Sequence, residues 1–371
     1  MREPGPLYHV TLYITEDKRH SSFVVKGLLE LEKKSYIELK LKTLPIYIYN
    51  RYVLGQGKFT FKKKGYPWCL ELVVSEIKKR KSIRIGIDLQ DWIDQFSFHS
   101  FQKCDLIYKR ALTATSLNEI NKIKKNFVIP FGPNCRAIVT DNRFKRINKK
   151  IYLRNLLIKA FLNPIKAINK IMKYSYRIPI KQISAGRDGF LKNPPQKKYI
   201  FFQVQYYNWN SHHSKVLNDF RANIIRRLKM AFKEQFYGGM WFQGKIDKKY
   251  ADCISNVDTE FEIYSSFMKN ASIVISTNGF GDSIPWKIVE YMRNGSCIVS
   301  QKNKHLFREP IDKDVIANFE TPDECIDICK KLLKDNLTIS RMAQQSRLYY
   351  ENHLKPSSVM KQILNESVSL L

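Results

Sequence analysis

The sequence lacks any run of roughly 18 apolar residues, the length that a membrane-spanning helix requires. Its first residues, Met1 to Pro6, lack the apolar core of a signal peptide. We therefore expect a cytoplasmic protein. With 371 residues, of which 44% are hydrophobic and 13% aromatic, the chain should fold, and it is long for one core. Two domains of about 150 to 200 residues are predicted.

The seven cysteines lack the paired Cys-x-x-Cys spacing of a zinc site. Cys325 and Cys329 are four residues apart, which places them on one face of a helix. This spacing favours reduced, buried thiols over metal ligands. The sequence also lacks internal repeats and low-complexity segments, which argues against a solenoid or a disordered chain.

Acidic residues are scarce, with 34 Asp and Glu against 64 Lys and Arg, and the formal net charge is +30. Such an excess predicts an anionic partner. Nucleic acid would fit the charge, but zinc-finger spacing, a basic region with heptads and a ribonucleoprotein-type aromatic strand are all missing. An anionic membrane that carries a lipid-linked acceptor fits the charge equally well. Charge alone does not choose between these partners.

Short apolar segments that alternate with helical segments predict a first α/β domain over residues 1–175. Apolar strands joined by helices indicate a parallel sheet covered on both faces. Strands are predicted at 7–15, 36–44, 83–87, 105–108 and 127–130, and helices at 21–34 and 70–79.

The stretch 141–180 is densely basic and reads as an amphipathic linker helix. Its basic face either is solvated or contacts a membrane surface, where such a helix would lie flat among the headgroups.

A second α/β domain is predicted over residues 181–350, with the alternating strands and helices of a doubly wound fold. Residues 351–371 are predicted to form a C-terminal helix that crosses back to the first domain. The predicted strands are 198–206, 236–242, 272–276 and 297–300, and the predicted helices include 215–235 and 259–269.

The loop after Ser276 is the best candidate for a ligand site. Ligands of open parallel sheets bind beyond the carboxyl ends of the strands, where helix N-termini present backbone N–H groups. Gly279 and Gly281 allow the backbone to approach a ligand closely, Ser283 can cap the next helix, and Pro285 suits its first turn. This loop can hold a diphosphate.

Two charged residues follow on the same predicted helix. Lys287 adds a positive charge one turn inside the helix, next to the expected phosphate. Glu290 lies one turn further along the same face, where its carboxylate can accept hydrogen bonds from ribose hydroxyls. The helix would therefore carry a phosphate end and a ribose end.

The element Pro285-Trp286-Lys287-Ile288-Val289-Glu290-Tyr291 is followed by Gly295 and the apolar strand 297–300. Here the sequence resembles the GT-B glycosyltransferases of bacterial capsule and O-antigen polysaccharide biosynthesis, with a C-terminal domain of the glycosyltransferase family 1/4 type. The resemblance is weakest before Ile83 and across 141–180. It implies two Rossmann-like, doubly wound parallel-sheet domains with a cleft between them.

The resemblance also implies the reaction. A sugar would pass from a nucleotide sugar, of the UDP or GDP type, to a glycan or lipid-linked glycan acceptor. No obligatory metal and no further cofactor are expected. The enzyme would be cytoplasmic and peripheral on the inner face of the cytoplasmic membrane, and nucleic acid would not be its partner.

Many retaining members of that superfamily carry two Glu in this region, the later one on the donor ribose and the earlier one near the transferred sugar. Glu290 matches the later Glu. Asp282 stands at the earlier position, with a carboxylate one methylene shorter, so the stereochemical outcome stays open. In an inverting enzyme, Asp17 or His20, after the first strand, would be the general base for an acceptor hydroxyl.

Further donor contacts are expected from two loops of the second domain. The loop 207–215 contributes Trp209 and Lys215, and the loop 240–245 contributes Gly244. These folds often hold the nucleobase through backbone contacts and stacking.

Acceptor contacts are expected from the first domain. Asp88 and Asp91 follow a strand end and can bind acceptor hydroxyls, while Lys109 and Arg110 suit an acceptor phosphate. Two alternatives stay open at this point. One is a nucleotide-sugar 2-epimerase of the same fold, and the other is a basic nucleic-acid-binding protein.

Overall fold

The computed structural model describes residues 6–14, 18–43, 51–62, 69–77, 81–125, 127–162, 191–209, 211–242 and 244–370. The chain divides into two units. The N-terminal unit comprises Met1–Pro179, His305–Glu309 and His353–Leu371, and the C-terminal unit comprises Ile180–Lys304 and Pro310–Asn352.

Nine strands of the N-terminal unit form a six-stranded sheet and a small three-stranded antiparallel sheet. The strands are β1 (Tyr8–Ile14), β2 (Ile37–Thr43), β3 (Arg51–Gly55), β4 (Lys58–Lys62), β5 (Cys69–Glu76), β6 (Ser82–Asp88), β7 (Gln95–Ser97), β8 (Leu106–Lys109) and β9 (Val128–Pro130). The larger sheet has the order β2-β1-β5-β6-β8-β9, and the smaller one has the order β4-β3-β7.

The larger sheet is mixed. β1 pairs with β2, β6 with β8 and β8 with β9 in parallel, whereas β5 runs antiparallel to both of its neighbours. The prediction of a helix over 70–79 was wrong, because this segment forms the central strand β5. Its Val73 and Val74 are β-branched and favour a strand, and Leu70 and Leu72 are buried in the sheet.

Four helices of the N-terminal unit are described before the chain reaches the C-terminal unit. They are α1 (Lys18–Lys33), α2 (Phe98–Lys103), α3 (Ala114–Ile123) and α4 (Asn142–Leu162). α3 begins with a capping box in which the Thr113 side chain accepts from the Ser116 backbone N–H.

The C-terminal unit contains a five-stranded, entirely parallel sheet in the order β11-β10-β12-β13-β14. Its strands are β10 (Ile200–Gln205), β11 (Phe236–Trp241), β12 (Ile273–Ser276), β13 (Ile298–Gln301) and β14 (Ile316–Phe319). Its helices are α5 (His212–Phe232), α6 (Phe261–Asn270), α7 (Trp286–Asn294), α8 (Pro322–Leu333) and α9 (Asn336–Tyr349).

The residues of β10 explain why it is an interior strand of the sheet. Ile200, Phe202 and Val204 are buried with Ile225 and Leu228 of α5 in one core cluster. A strand buried on both faces is typical of a parallel sheet covered by helices. The α/β class and the doubly wound parallel sheet of the second half are thus confirmed, while the first sheet departs from a purely parallel one at β5.

The last helix, α10 (Pro356–Val368), belongs to the N-terminal unit and packs against α1. Gly27 lies where the two helices cross. A Cβ atom at Gly27 would overlap the carbonyl oxygen of Pro356 and lie 2.6 Å from Cγ of Met360. The contact therefore requires a glycine in the middle of α1.

We expect Gly27→Ala to lower the free energy of unfolding by about 1 to 3 kcal/mol, because the added methyl group overpacks this crossing. Replacing glycine by alanine inside a helix ordinarily stabilises it by about 0.5 to 1 kcal/mol, so the sign of the effect is diagnostic. Urea denaturation provides the measurement. Gly55→Ala is the control, since no atom lies within 4 Å of its added Cβ. A stabilised Gly27→Ala protein would contradict the packing of α10 on α1.

Candidate functional site

The strands β10 and β12 part at their carboxyl ends. Their pairing covers only Ile200 with Ile273 and Phe201 with Val274, although β10 continues to Gln205 and β12 to Ser276. The sheet order reverses between these two strands. The carboxyl edge at such a reversal is where doubly wound sheets bind their ligands. We call this place the switch-point crevice.

A tight loop follows β12 and leads to α7. The backbone N–H of Gly279 donates to the carbonyl oxygen of Ser283 over 2.7 Å, which closes the loop. Gly281 and Asp282 both have left-handed backbone conformations, with φ of 66° and 56°. Glycine adopts this conformation readily, whereas Asp282 is held in it at some cost. The loop is therefore fixed by its surroundings rather than by local preference.

The prediction that Ser283 caps the next helix was wrong. α7 begins at Trp286, and Pro285 occupies the N-cap position with φ of −70° and ψ of 147°. A residue that precedes proline is disfavoured in helical conformation, so the helix cannot begin at Ile284. Ser283 is instead buried, and its carbonyl oxygen closes the loop.

The buried guanidinium of Arg221, in α5, joins the two sides of the switch-point crevice. It donates to the carbonyl oxygen of Gln205 over 2.7 Å, to Oγ1 of Thr277 over 3.1 Å and to the carbonyl oxygen of Asn278 over 2.9 Å. It also lies 5.1 Å from the centre of the Tyr207 ring. Burial lowers the pKa of Arg221, and Tyr207 raises it.

Sequence reasoning missed Arg221, although a signal was present. Leu217, Ile224 and Leu228 form the apolar stripe of α5, and Arg221 falls within that stripe. A single basic residue on the buried face of a helix requires partners inside the protein.

Polar side chains hold the loop from its other side. The backbone N–H of Asn278 donates to Oε1 of Gln301 over 3.0 Å. Nδ2 of Asn303 donates to Oδ1 of Asn278 over 2.8 Å and to the carbonyl oxygen of Asp282 over 2.9 Å. The backbone N–H of Gly281 donates to Nε2 of His213 over 3.0 Å. The loop is thus tied to β13, to the segment after it and to α5.

A cluster of three aromatic rings lies beside the loop. The Trp209 and Phe280 rings are 4.8 Å apart, and Tyr207 lies 5.2 Å from Trp209. Trp209 keeps 53% of its surface exposed, which leaves its indole open to a stacking partner. Its contact with a donor stays a prediction.

Lys215 and Gly244 lie on exposed parts of the same unit. Lys215 is in the first turn of α5, whose N-cap Ser211 accepts a hydrogen bond from the Ser214 backbone N–H over 3.2 Å. Gly244 follows β11 with φ of 84°, and an added Cβ would meet no atom within 4 Å. The structure therefore requires glycine there for its backbone conformation and not for close packing. Their predicted donor contacts remain predictions.

Lys287 occupies the gap between the parted strands. Its Nζ donates to the carbonyl oxygen of Gln203, which lies beyond the last β10 residue that pairs with β12. Burial lowers the pKa of Lys287 from 10.5 to about 8, Glu290 raises it, and Arg221 lowers it further. Burial raises the pKa of Glu290, while Lys287 lowers it. The predicted phosphate and ribose residues thus lie one helical turn apart and sense each other's charge.

The predicted acceptor residues lie together at the carboxyl ends of β6 and β8. Lys109 is completely buried, and its Nζ donates to Oδ2 of Asp88 over 3.3 Å and to the carbonyl oxygen of Gln95 over 2.7 Å. Arg110 forms an ion pair with Asp91. Burial lowers the pKa of Arg110 to about 10. These charges are already paired within the N-terminal unit, and their contact with an acceptor stays a prediction.

The two predicted general bases cannot be placed. Asp17 lies outside the described residues, and of His20 only the backbone, within α1, is described. Of the basic segment 141–180, α4 accounts for the part up to Leu162, and residues 163–180 lie outside the described residues.

A polar cluster in the N-terminal unit was missed because β5 was read as a helix. Glu71 of β5 is buried and accepts from Nδ1 of His99 over 2.6 Å and from Oγ of Ser100 over 3.0 Å. Arg84 reaches the same carboxylate over 3.4 Å. Because β5 is a strand buried on both faces, Glu71 lies inside the protein, where a carboxylate needs such donors.

Two features are absent from the part of the chain that the structure describes. No described helix is long and apolar enough to cross a membrane. Among the described residues, no group of three or more His, Cys, Asp or Glu side chains is arranged to hold a metal ion.

No protein-family model matches the chain, and no curated protein matches it. Several solved structures are similar to it. The C-terminal domain of the group 1 glycosyl transferase LpcC from Francisella tularensis is 15% identical, with a TM-score of 0.30, over 43% of this chain and 87% of that one. A glycosyltransferase from Rickettsia africae is 12% identical, with a TM-score of 0.34, over 73% and 78%.

HepE from Anabaena, solved with UDP-glucose, is 12% identical, with a TM-score of 0.38, over 73% of this chain and 65% of that one. With TM-scores this low, none of these likenesses establishes a fold or a function for the chain. The function has to be inferred from the residues of the site.

Arg221→Lys should lower the free energy of unfolding by roughly 1 to 3 kcal/mol, because a lysine cannot reach all three acceptors and leaves buried oxygens unpaired. Urea denaturation checks this expectation. Arg227→Lys is the matched control, since Arg227 lies on the same helix with its side chain partly exposed. Equal stability of the two variants would show that the Arg221 guanidinium does not join the two sides of the switch-point crevice.

The lowered pKa of Lys287 predicts a pH-dependent stability. Between pH 8 and 10.5 the unfolded chain binds more protons at this lysine than the folded chain does, so its contribution to stability rises with pH. We expect the stability difference between the wild type and Lys287→Met to grow in favour of the wild type across this window and to be constant below it. Denaturation at a series of pH values measures it, with the exposed Lys215→Met as control. A difference that does not change with pH would contradict the burial of a charged Lys287.

Proposed function

We propose that the chain is a glycosyltransferase of the GT-B type, which transfers a sugar from a nucleotide sugar to a glycan or lipid-linked glycan. The observation that carries this proposal is the position of the Pro-x-Lys-x-x-Glu-Tyr element. Its Lys287 enters the switch-point crevice and its Glu290 follows one turn later. A cation and a carboxylate at this spacing suit the diphosphate and the ribose of one nucleotide.

Each part of the donor has a candidate partner. The diphosphate would lie at the loop before α7, where the N-terminal end of α7 and Lys287 supply positive charge. Lys287 Nζ uses one of its three protons on Gln203, so others can be donated to a phosphate oxygen. The nucleobase would stack near Trp209 and contact the loop that contains Gly244. Lys215 would neutralise phosphate charge from the first turn of α5.

In the reaction, an acceptor hydroxyl oxygen attacks the anomeric carbon of the donor sugar and forms the new glycosidic bond. The bond from that carbon to the diphosphate oxygen breaks, and its electron pair leaves with the diphosphate. Lys287 and the N-terminal end of α7 would stabilise this developing charge. Asp282 would lie near the transferred sugar. In an inverting enzyme, the hydroxyl proton would pass to a general base, with Asp17 and His20 as the sequence candidates.

The acceptor and the place of action are the finer part of the proposal. The net charge of +30 favours an anionic partner. A lipid-linked glycan on the inner face of the cytoplasmic membrane, as in capsule or O-antigen assembly, supplies both the acceptor and an anionic surface. Asp88, Asp91, Lys109 and Arg110 would form the acceptor side.

We expect Glu290→Ala to weaken nucleotide binding roughly tenfold or more, since charge-assisted hydrogen bonds contribute about 1.5 to 3 kcal/mol. A thermal-shift screen with UDP, GDP, CMP, dTDP and their common sugars identifies the nucleotide, and calorimetric titration then gives the affinities. Glu234→Ala, at an exposed glutamate, is the control.

Undiminished affinity in folded Glu290→Ala would contradict the ribose contact. If no nucleotide stabilised the wild type, the donor site itself would be refuted. Conversion of the sugar nucleotide into its C2 epimer in the absence of any acceptor would identify an epimerase instead.

A further inference from the structure

α4 presents an outer face that combines positive charge with exposed apolar side chains. Seven of its 21 residues are Lys or Arg, and none is Asp or Glu. Its inner face is formed by Phe144, Ile147 and Ile151, which are buried where the helix packs against β2. The buried positions recur three and four residues apart, as on one side of an amphipathic helix.

The outer surface of the helix carries a stripe formed by Arg146, Lys150, Leu153 and Leu157, all of which are exposed. Their spacing of four, three and four residues places them in one line along the helix. Leu153 is 46% exposed and Leu157 is 70% exposed. The stripe therefore begins with cations and ends with two leucines.

The start of α4 is fixed to the N-terminal unit. Arg143 Nη1 donates to Oε1 of Glu32, in α1, over 2.9 Å, and Arg143 also donates to Oδ1 of Asp141 over 3.3 Å. These contacts take up Arg143 and hold the first turn of the helix. The stripe of Arg146, Lys150, Leu153 and Leu157 keeps facing outward from a fixed support.

We propose that this stripe docks the protein on an anionic lipid surface, with the cations at the headgroups and the leucines in the interfacial region. The absence of acidic residues from α4 makes the helix complementary to negative charge along its whole length. Nucleic acid would also match this charge, but it offers no apolar layer for Leu153 and Leu157. A bilayer interface offers both. The docking surface deepens the proposed function and rests on it for the lipid-linked acceptor.

The test compares binding of the full chain to phosphatidylcholine vesicles with and without phosphatidylglycerol, by sedimentation, and binding to a single-stranded DNA oligonucleotide. We expect the wild type to prefer the anionic vesicles. Leu153→Ser with Leu157→Ser should lower the vesicle partition coefficient about tenfold or more and leave DNA binding unchanged. Arg146→Glu with Lys150→Glu should lower binding to both by a similar factor.

Two control variants match these changes elsewhere on the surface. Leu337→Ser removes a leucine that is 84% exposed in α9. Lys331→Glu with Lys334→Glu reverses two exposed lysines at the end of α8. Both controls should bind anionic vesicles nearly as the wild type does, and thermal unfolding should confirm that all variants are folded.

Wild-type protein that ignores the anionic vesicles would overturn the docking surface. So would a leucine variant that still binds them fully, because binding would then be purely electrostatic. Nucleotide-induced thermal shifts, measured on the same samples, separate the two proposals. A retained shift without vesicle binding refutes the docking surface alone, and vesicle binding without any shift refutes the donor site alone.

Discussion

One buried guanidinium holds the candidate site together. Where β10 and β12 stop pairing, each strand loses the hydrogen-bond partners that the other supplied, and buried carbonyl oxygens near this point need donors from elsewhere. Arg221 provides two such donations, to Gln205 at the end of β10 and to Asn278 in the loop after β12, and a third to the hydroxyl of Thr277. The parting of the strands and the position of the loop after β12 therefore both depend on this side chain. Lysine, with a single donor atom, could not replace it.

The same crevice concentrates charge. Lys287 fills the gap that the strands leave, close enough to Arg221 for the two cations to oppose each other, and Glu290 offsets part of their field. An anion bound beside Lys287 would raise the pKa of this lysine and favour its charged form. The site is therefore suited to an anion. The left-handed backbone of Asp282 and the contacts of Asn278 and His213 keep the loop ready in one conformation. Little rearrangement would be needed on binding.

Periodicity and loop chemistry were enough to predict the second sheet, the loop after β12 and the position of Lys287 and Glu290 one turn apart on one helix. They were insufficient where tertiary context decides. β5 looked helical because its burial on both faces removes the alternation that marks a strand. Ser283 looked like a cap because serine favours the N-cap position. The effect of Pro285 on the residue before it outweighs this preference, and the helix begins later. Arg221 escaped notice because its partners come from distant segments. Lys109 looked available for a ligand, yet Asp88 holds it inside.

The contact of α10 with α1 joins two segments of one unit that lie more than 300 residues apart in the sequence. During synthesis, α1 leaves the ribosome long before α10 does, and its groove at Gly27 stays unfilled until α10 follows. The C-terminal unit, whose segments end at Asn352, has all of its sequence synthesised before α10 exists. The N-terminal unit is thus the last to be completed, although its synthesis begins first. A chain truncated before α10 would contain a complete C-terminal unit, while α1 of its N-terminal unit would lack the helix that covers Gly27.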